Sequence, residues 1–275
     1  MQIVARTDVG LVRKRNEDYY VIADSGNLVV LCDGMGGHPG GDVASRMVAE
    51  EVERLVSAGD ETVDVEAAEA PTHIRPFVPL LHSVFCADRK LRAYGQQHPE
   101  YQGMGTTLIA MLENDGTVCV VHVGDSRVYC FRNGRLSQVT NDHSVVATHP
   151  EYAHLAGMRN ILTRAMGVGD ELEVDFKILP MQPDELYLLC TDGLHNFVSE
   201  PRIAEILGSE QTADARADQL IDAAKEGGGG DNVTLSLAWV TSDRVAKHAT
   251  IAGTVTENAS GMKMQFESNA DQAPG

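Results

Sequence analysis

The amino-acid sequence predicts an α+β fold with antiparallel sheets in the middle and helix pairs outside. Three observations lead there. Short apolar runs bounded by turn residues recur along the chain, at residues 28–32, 117–123 and 186–190 among others. Hairpin signals join neighbouring runs, notably Asp24-Ser25-Gly26-Asn27 and Asn133-Gly134. Helical periodicity falls in separate pairs instead of alternating with every strand, which argues against a doubly wound parallel sheet.

Residues 19–22 and 28–32 read as the two strands of the first hairpin. Asp42 suits the N-cap of a helix running to about residue 57, with Ala44, Met47, Val48, Val52 and Leu55 on one face. Residues 59–72 are acidic, Ala-rich and aperiodic, and read as a solvated loop. A second helix covers about 76–97, with Phe77, Leu81, Val84 and Leu91 on one side, and stops near Pro99. Strands follow at 106–112, 117–123, 128–132 and 186–190. Ser199 and Pro201 open a short helix that Gly208 ends, and a further helix runs over about 214–225. Residues 233–240 alternate apolar and polar side chains, as a half-buried strand does. Beyond Val240 the periodicity fades. One domain over 1–242 is expected, followed by a flexible C-terminal tail over 243–275 rich in Ala, Ser, Thr, Gly and Asn.

Composition bounds the function. The 275 residues are 43% hydrophobic and 23% charged, ordinary for a packed globular chain. With 22 basic and 40 acidic residues the net charge is −18, which disfavours general binding to nucleic acid or to an anionic membrane. The same acidity would repel a phosphorylated substrate, so any phosphate chemistry requires metal ions or a local arginine. No apolar run has the length of a membrane span, and the N-terminus has no basic segment followed by an apolar core. The five cysteines lack metal-finger spacing, and Cys32, Cys119, Cys130 and Cys190 lie in apolar runs. A reducing, cytoplasmic location is expected.

Two segments resemble each other locally: an apolar strand ending in Asp33-Gly34 and another ending in Thr191-Asp192-Gly193. Asp231 follows four glycines and precedes a strand, and Asp125 follows the strand that ends at Val123. Each of these, alone, reads as a turn. Together they put four carboxylates at strand ends, where they can meet at one end of a sandwich. Clustered carboxylates repel unless they are protonated or neutralised by metal. Ligands that are all oxygen select Mg²⁺ or Mn²⁺ over Zn²⁺.

Thr7-Asp8-Val9-Gly10-Leu11-Val12-Arg13, Asn16-Glu17-Asp18 and Asp33-Gly34-Met35-Gly36-Gly37-His38 resemble the opening motifs of the protein phosphatase 2C (PP2C, PPM) family, in the spelling of its bacterial branch. Gly103-Met104-Gly105-Thr106-Thr107, Val123-Gly124-Asp125-Ser126-Arg127, Leu162-Thr163-Arg164-Ala165, Thr191-Asp192-Gly193 and Asp231-Asn232-Val233-Thr234 resemble the later motifs, in the family's order. The match spans residues 5–240. It implies an α-β-β-α sandwich of two antiparallel sheets flanked by helix pairs, and a metal-dependent protein serine/threonine phosphatase.

The resemblance also implies roles. Asp33 bridges two Mn²⁺ or Mg²⁺ ions, the Gly34 carbonyl holds one, and Asp192 and Asp231 hold the other. Glu17 and Asp18 contact metal-bound waters, and Asp125 with Asp192 can hold a weaker third ion. Arg13 grips the substrate phosphate, where a planar guanidinium suits two oxygens at once. A metal-bridging water attacks phosphorus directly, and His38 is the candidate proton donor to the leaving alkoxide. Met35 stands where animal members carry their proposed acid. Two departures from the bacterial pattern stand out. Only residues 145–161 fill the flap between Asp142-His143-Ser144 and Leu162-Thr163-Arg164, and Asn196 replaces an Asp of many relatives. The expected partners are phosphorylated proteins, including a cognate serine/threonine kinase, and the chain is expected to be a monomer.

Two rival readings have weaker support. Cys86 to Arg92 has the C-x5-R spacing of a cysteine phosphatase, but it lies in an amphipathic helix whose N–H groups are already bonded. A catalytically dead binding domain would lack metal aspartates that this chain keeps.

Overall fold

The computed structural model describes residues 1–35, 40–59, 71–155, 157–158, 161–182, 184–239, 250–258 and 261–266. Strands β1 (Gln2–Asp8), β2 (Asp18–Ile22) and β3 (Leu28–Met35) lead into helix α1 (Gly41–Ala58). Helix α2 (Val78–Gln97) is followed by β4 (Gly105–Thr106), β5 (Leu108–Asn114), β6 (Thr117–Val123), β7 (Arg127–Arg132) and β8 (Arg135–Gln138). After the short helix α3 (Val145–Thr148) come β9 (Glu173–Pro180) and β10 (Leu186–Cys190). Helices α4 (Asp192–His195), α5 (Glu200–Leu207) and α6 (Ala213–Glu226) precede β11 (Val233–Trp239), β12 (Ile251–Asn258) and β13 (Gly261–Phe266).

The strands form two antiparallel sheets. One has the order β1-β11-β10-β7-β8; the other has the order β13-β12-β9-β6-β5-β3-β2, with β4 paired to β3. Alternation along each central strand splits its side chains between two cores. Leu28, Val30 and Cys32 of β3 pack under α1 and α2, whereas Val29 and Leu31 face the other sheet. Tyr187, Leu189 and Ala238 meet them there. Leu188, Leu235 and Leu237 point outward under α4, α5 and α6. The four-layer α-β-β-α arrangement follows, as expected.

Several sequence readings need correction. Asp42 is not the N-cap of α1. Gly40 holds that position without a side-chain bond, and Asp42 sits in the first turn, where a carboxylate favours the helix dipole. β11 is buried on both faces, because β1 and β10 flank it and the second sheet covers it. Its alternation separates the inter-sheet face, with Thr234 and Ser236, from the helix face; it does not separate core from solvent. The tail expected over 243–275 carries β12, which pairs with β9, and β13, which pairs with β12. Threonines and a glycine make β12 weakly apolar, so its pairing is set by the exposed edge of β9. Gly253 is needed there, since a Cβ would sit 2.3 Å from the Gln265 carbonyl and 3.0 Å from the Phe176 ring. The expected loop at 59–72 falls largely on residues 60–70, outside the described residues.

Candidate metal centre

The first sheet brings the ends of β10 and β11, and the second brings β2 and β3, to one end of the sandwich. Asp18 and Asp33 face each other directly in the β2–β3 register. Like charges in that relation destabilise a sheet unless something neutralises them. Asp33 is held by its backbone: its N–H donates to Thr107 Oγ1 at 3.1 Å, and its carbonyl accepts from Thr107 N–H at 2.9 Å. The Thr106 hydroxyl adds a second bond to the same carbonyl at 2.9 Å. β3 and α1 meet at contact distance here. A Cβ on Gly34 would lie 2.1 Å from the Gly41 carbonyl oxygen, and one on Gly41 would lie 2.8 Å from Glu17 Oε2.

Asp192 opens α4, directly after β10. Asp231 follows the glycine run and accepts Arg13 Nη2 at 2.8 Å on Oδ2, while its Oδ1 accepts Asn232 N–H at 2.9 Å. Asp125 lies in the tight turn between β6 and β7, nearly covered. Burial, and then the charge of Asp192, push it up to about 7. Burial and Asp231 raise Asp192 to about 6, even though a hydrogen bond with Asp33 counters them. Asp33 stands well above the carboxylate range through burial and through Asp18, Asp192, Asp125 and Asp231. Burial raises Glu17, with Arg13 partly offsetting it.

Asp18 carries the sharpest signal. It is 6% exposed, and burial pushes it to about 7 although Thr234 and Thr191 counter it, the Thr191 hydroxyl donating to Oδ2 at 2.8 Å. Its Oδ1 is buried with no partner. A buried, unpaired carboxylate oxygen is costly, and it suits a site where ordered water on a cation completes the bonding. The donor set is entirely oxygen, which fits hard divalent ions. The structure thus brings together Asp18, Asp33, Asp125, Asp192 and Asp231, with Glu17, Gly34 and Arg13 beside them. His38, with Gly36, Gly37 and Pro39, lies outside the described residues.

Sequence reasoning passed over the residue that organises the Arg13 loop. Asn232 is buried, donates Nδ2 to the carbonyls of Val9 at 3.0 Å and Arg15 at 2.8 Å, and accepts Glu17 N–H at 2.8 Å. The signal was an asparagine directly after a metal-ligand candidate, with no helix to cap. Asn196 donates to Asp192 Oδ2 at 3.1 Å. Cys86 lies inside α2, and its C-x5-R partner Arg92 is tied to Asp88 and to the carbonyls of Val168 and Gly169. That is no phosphate loop.

The family model described as protein phosphatase 2C matches residues 12–223. The serine/threonine phosphatase stp of Listeria monocytogenes is 38% identical over 243 residues, covering 84% of this chain and 93% of that protein. The crystal structure of the Mycobacterium tuberculosis serine/threonine phosphatase PstP/Ppp superposes with a TM-score of 0.74 at 36% identity, over 87% of this chain and 98% of that one. The catalytic domain of PstP in complex with two manganese ions superposes with a TM-score of 0.74 at 34% identity, over 88% of this chain and 98% of that one.

Proposed function

Because the chain belongs to the protein phosphatase 2C family and is a metal-dependent protein serine/threonine phosphatase, we propose how its own residues share the work. Its cofactors are Mn²⁺ or Mg²⁺. Asp33, the Gly34 carbonyl, Asp192 and Asp231 hold two ions, Glu17 and Asp18 accept hydrogen bonds from their waters, and Asp125 with Asp192 holds a weaker third. The observation that carries this reading is the unpartnered, buried Oδ1 of Asp18 amid four further aspartates. When bound, the ions supply an activated water and neutralise charge on the transferring phosphoryl group.

The chain's side chains do the rest. Arg13 offers its half-exposed guanidinium to the substrate phosphate and orients it. Asn232 and the Leu11 N–H bond to the Gly229 carbonyl keep the loop carrying Arg13 against the Asp231 turn. Thr106 and Thr107 hold the Asp33 backbone, so its carboxylate stays aimed into the site. His38 is the candidate proton donor to the leaving seryl or threonyl oxygen.

The substrates are phosphorylated proteins. A cognate serine/threonine kinase is the proposed counterpart, and a monomer the proposed state. No helix among the described residues is long and apolar enough to cross a membrane. A cytoplasmic setting is proposed from the five cysteines, none of which is joined to another by a disulfide. The test is phosphate release from a phosphothreonine peptide, with Mn²⁺ and after exhaustive chelation. Activity only with metal, lost in Asp33→Asn, is expected; full activity after chelation would overturn the site assignment.

A further inference from the structure

The hairpin β12–β13 lies C-terminal to the matched region, yet Thr254 of β12 bonds to Asp175 within it. The β12–β9–β6 register puts Thr254, Asp175 and His122 side by side across three strands. Directly opposed residues share one face of a sheet. Thr254 Oγ1 donates to Asp175 Oδ1 at 2.9 Å, and Arg164 Nη1 donates to the same oxygen at 2.8 Å. Asp175 Oδ2 accepts from His143 Nε2 at 3.1 Å. On the other side of that ring, Nδ1 accepts the Gly124 N–H at 3.2 Å, and the His143 N–H donates to the Gly124 carbonyl at 2.9 Å. His143 therefore grips both backbone groups of the residue before Asp125.

His122, His143 and Asp175 offer ligand atoms within 4.8 Å of one another, which raises the question of a cation there. The hydrogen bonds answer it. With Nδ1 of His143 an acceptor, its Nε2 carries the proton and has no lone pair for a metal. Asp175 already holds a guanidinium, and the guanidinium's 3.3 Å approach to His143 Nε2 reflects that shared carboxylate. His122 gives its Nε2 to the Asn141 carbonyl at 2.9 Å and stacks on His143 with centroids 4.6 Å apart. The cluster is a strut.

Gly124 needs such a strut. Its φ is +108°, in a region that L side chains rarely enter, and a Cβ would lie 2.7 Å from Thr107 Cγ2. The turn can flex there unless its N–H and carbonyl are held. Thr107, the neighbour beneath it, also carries the Asp33 bonds and meets Ser126 Oγ at 2.8 Å.

We propose that the C-terminal hairpin is a positioning element of the catalytic centre: Thr254, acting through Asp175 and His143, holds the Gly124 hinge and thereby aims Asp125. Thr254, Asp175 and His143 are positioning residues. The proposal rests on the reading of Asp125 as a metal-holding acid, and the test separates the two.

Amide exchange at Gly124 is measured in the full-length, chelated protein by NMR, with melting temperatures recorded alongside. Thr254→Val keeps the branched shape and removes the hydroxyl. One lost hydrogen bond predicts Gly124 exchange faster by about three- to tenfold, and Thr254→Ser restores it. His143→Gln, whose amide reaches Asp175 but not Gly124, gives a larger increase, and His143→Asn, whose oxygen replaces Nδ1, a smaller one. Mn²⁺ titration by calorimetry then shows the weakest site loosened by a similar factor in Thr254→Val, with the tighter sites unchanged. Gly124 exchange within twofold of wild type in a folded Thr254→Val protein would overturn the proposal. If Asp125→Asn leaves every Mn²⁺ site intact, the reading of Asp125 falls, and the exchange result alone decides whether the hairpin positions the hinge.

Discussion

Arg13 closes onto Asp231, with Nη2 2.8 Å from Oδ2. The residue assigned to the phosphate and a residue assigned to the metals thus hold each other. An ion held by Asp231 would compete with the guanidinium for that carboxylate and would leave the guanidinium to the phosphate.

Arg13→Ala is therefore expected to act oppositely on the two ligands. A charge-assisted phosphate contact contributes about 1.5–3 kcal/mol, so kcat/KM falls on the order of ten- to a hundredfold, mostly through KM. Mn²⁺ affinity is unchanged or tighter, because its competitor is gone. Arg13→Lys recovers part of the loss, and Lys14→Ala does little. Steady-state kinetics on p-nitrophenyl phosphate and a phosphothreonine peptide, with calorimetric Mn²⁺ titration, check this; weakened Mn²⁺ binding would contradict it.

Asp192→Asn and Asp231→Asn are expected to abolish turnover at physiological Mn²⁺ while leaving the fold intact. For Asp192→Asn the chelated protein melts higher than wild type. The substitution removes one charge from a group of carboxylates that already repel one another. Differential scanning fluorimetry with chelator reads the shift, and a lower melting temperature would show that Asp192 is a structural anchor instead.

The pH dependence follows from the same repulsion. Asp18 and Asp125 are raised from 3.8 to about 7, and Asp192 to about 6. The folded state thus holds protons that the unfolded chain releases near 3.8. The stability from these groups is complete below about pH 4 and is lost as pH rises through 6 to 7. Chelated protein should melt at progressively lower temperature between pH 5 and about 8, and saturating Mn²⁺ should flatten or reverse the trend. Asp18→Asn should reduce the slope. A flat profile for the chelated wild type would refute the argument.

Asn232→Ala removes three bonds at one buried amide. The expected cost is about 3 kcal/mol, which lowers Tm by several degrees in a chain of this size. Because the loop it clamps carries Arg13 and Glu17, KM rises as well. Asn232→Asp keeps the acceptor for Glu17 N–H but not the donors, and is expected to fall between. Thermal melts with matched kinetics decide; a variant with wild-type Tm and KM would remove Asn232 from the positioning of that loop.

Much of the fold was legible for local reasons. Asn133 and Gly134 adopt φ of 50° and 75°, as their hairpin signal requires, and β7 pairs with β8 across them. α5 begins and ends at its Ser199 and Gly208 signals, and α6 lies within a residue of its expected bounds. β9 was missed although Val174, Phe176 and Ile178 alternate with Glu173, Asp175 and Lys177. Those charges broke the apolar run, yet they are accommodated because Lys177 reaches the Val139 carbonyl and Asp175 enters the strut beside β12.

The sequence by itself determined the strand-end aspartates, the turn chemistry and the two helix pairs, because each depends on neighbours a few residues away. Only the tertiary structure decided which carboxylate is left without a partner, that Arg13 meets Asp231 across 218 residues, and that Asn232 holds a loop 217 residues distant. It also placed a hairpin on β9 within the expected tail, at Ile251–Asn258 and Gly261–Phe266. The strand Ile251-Ala252-Gly253-Thr254-Val255 has β-branched residues but an apolar pattern that Gly253 interrupts, and its place is set by the open backbone bonds of the strand it covers. Nothing in the order of residues along the chain reports on such a surface until the sheet that presents it has formed.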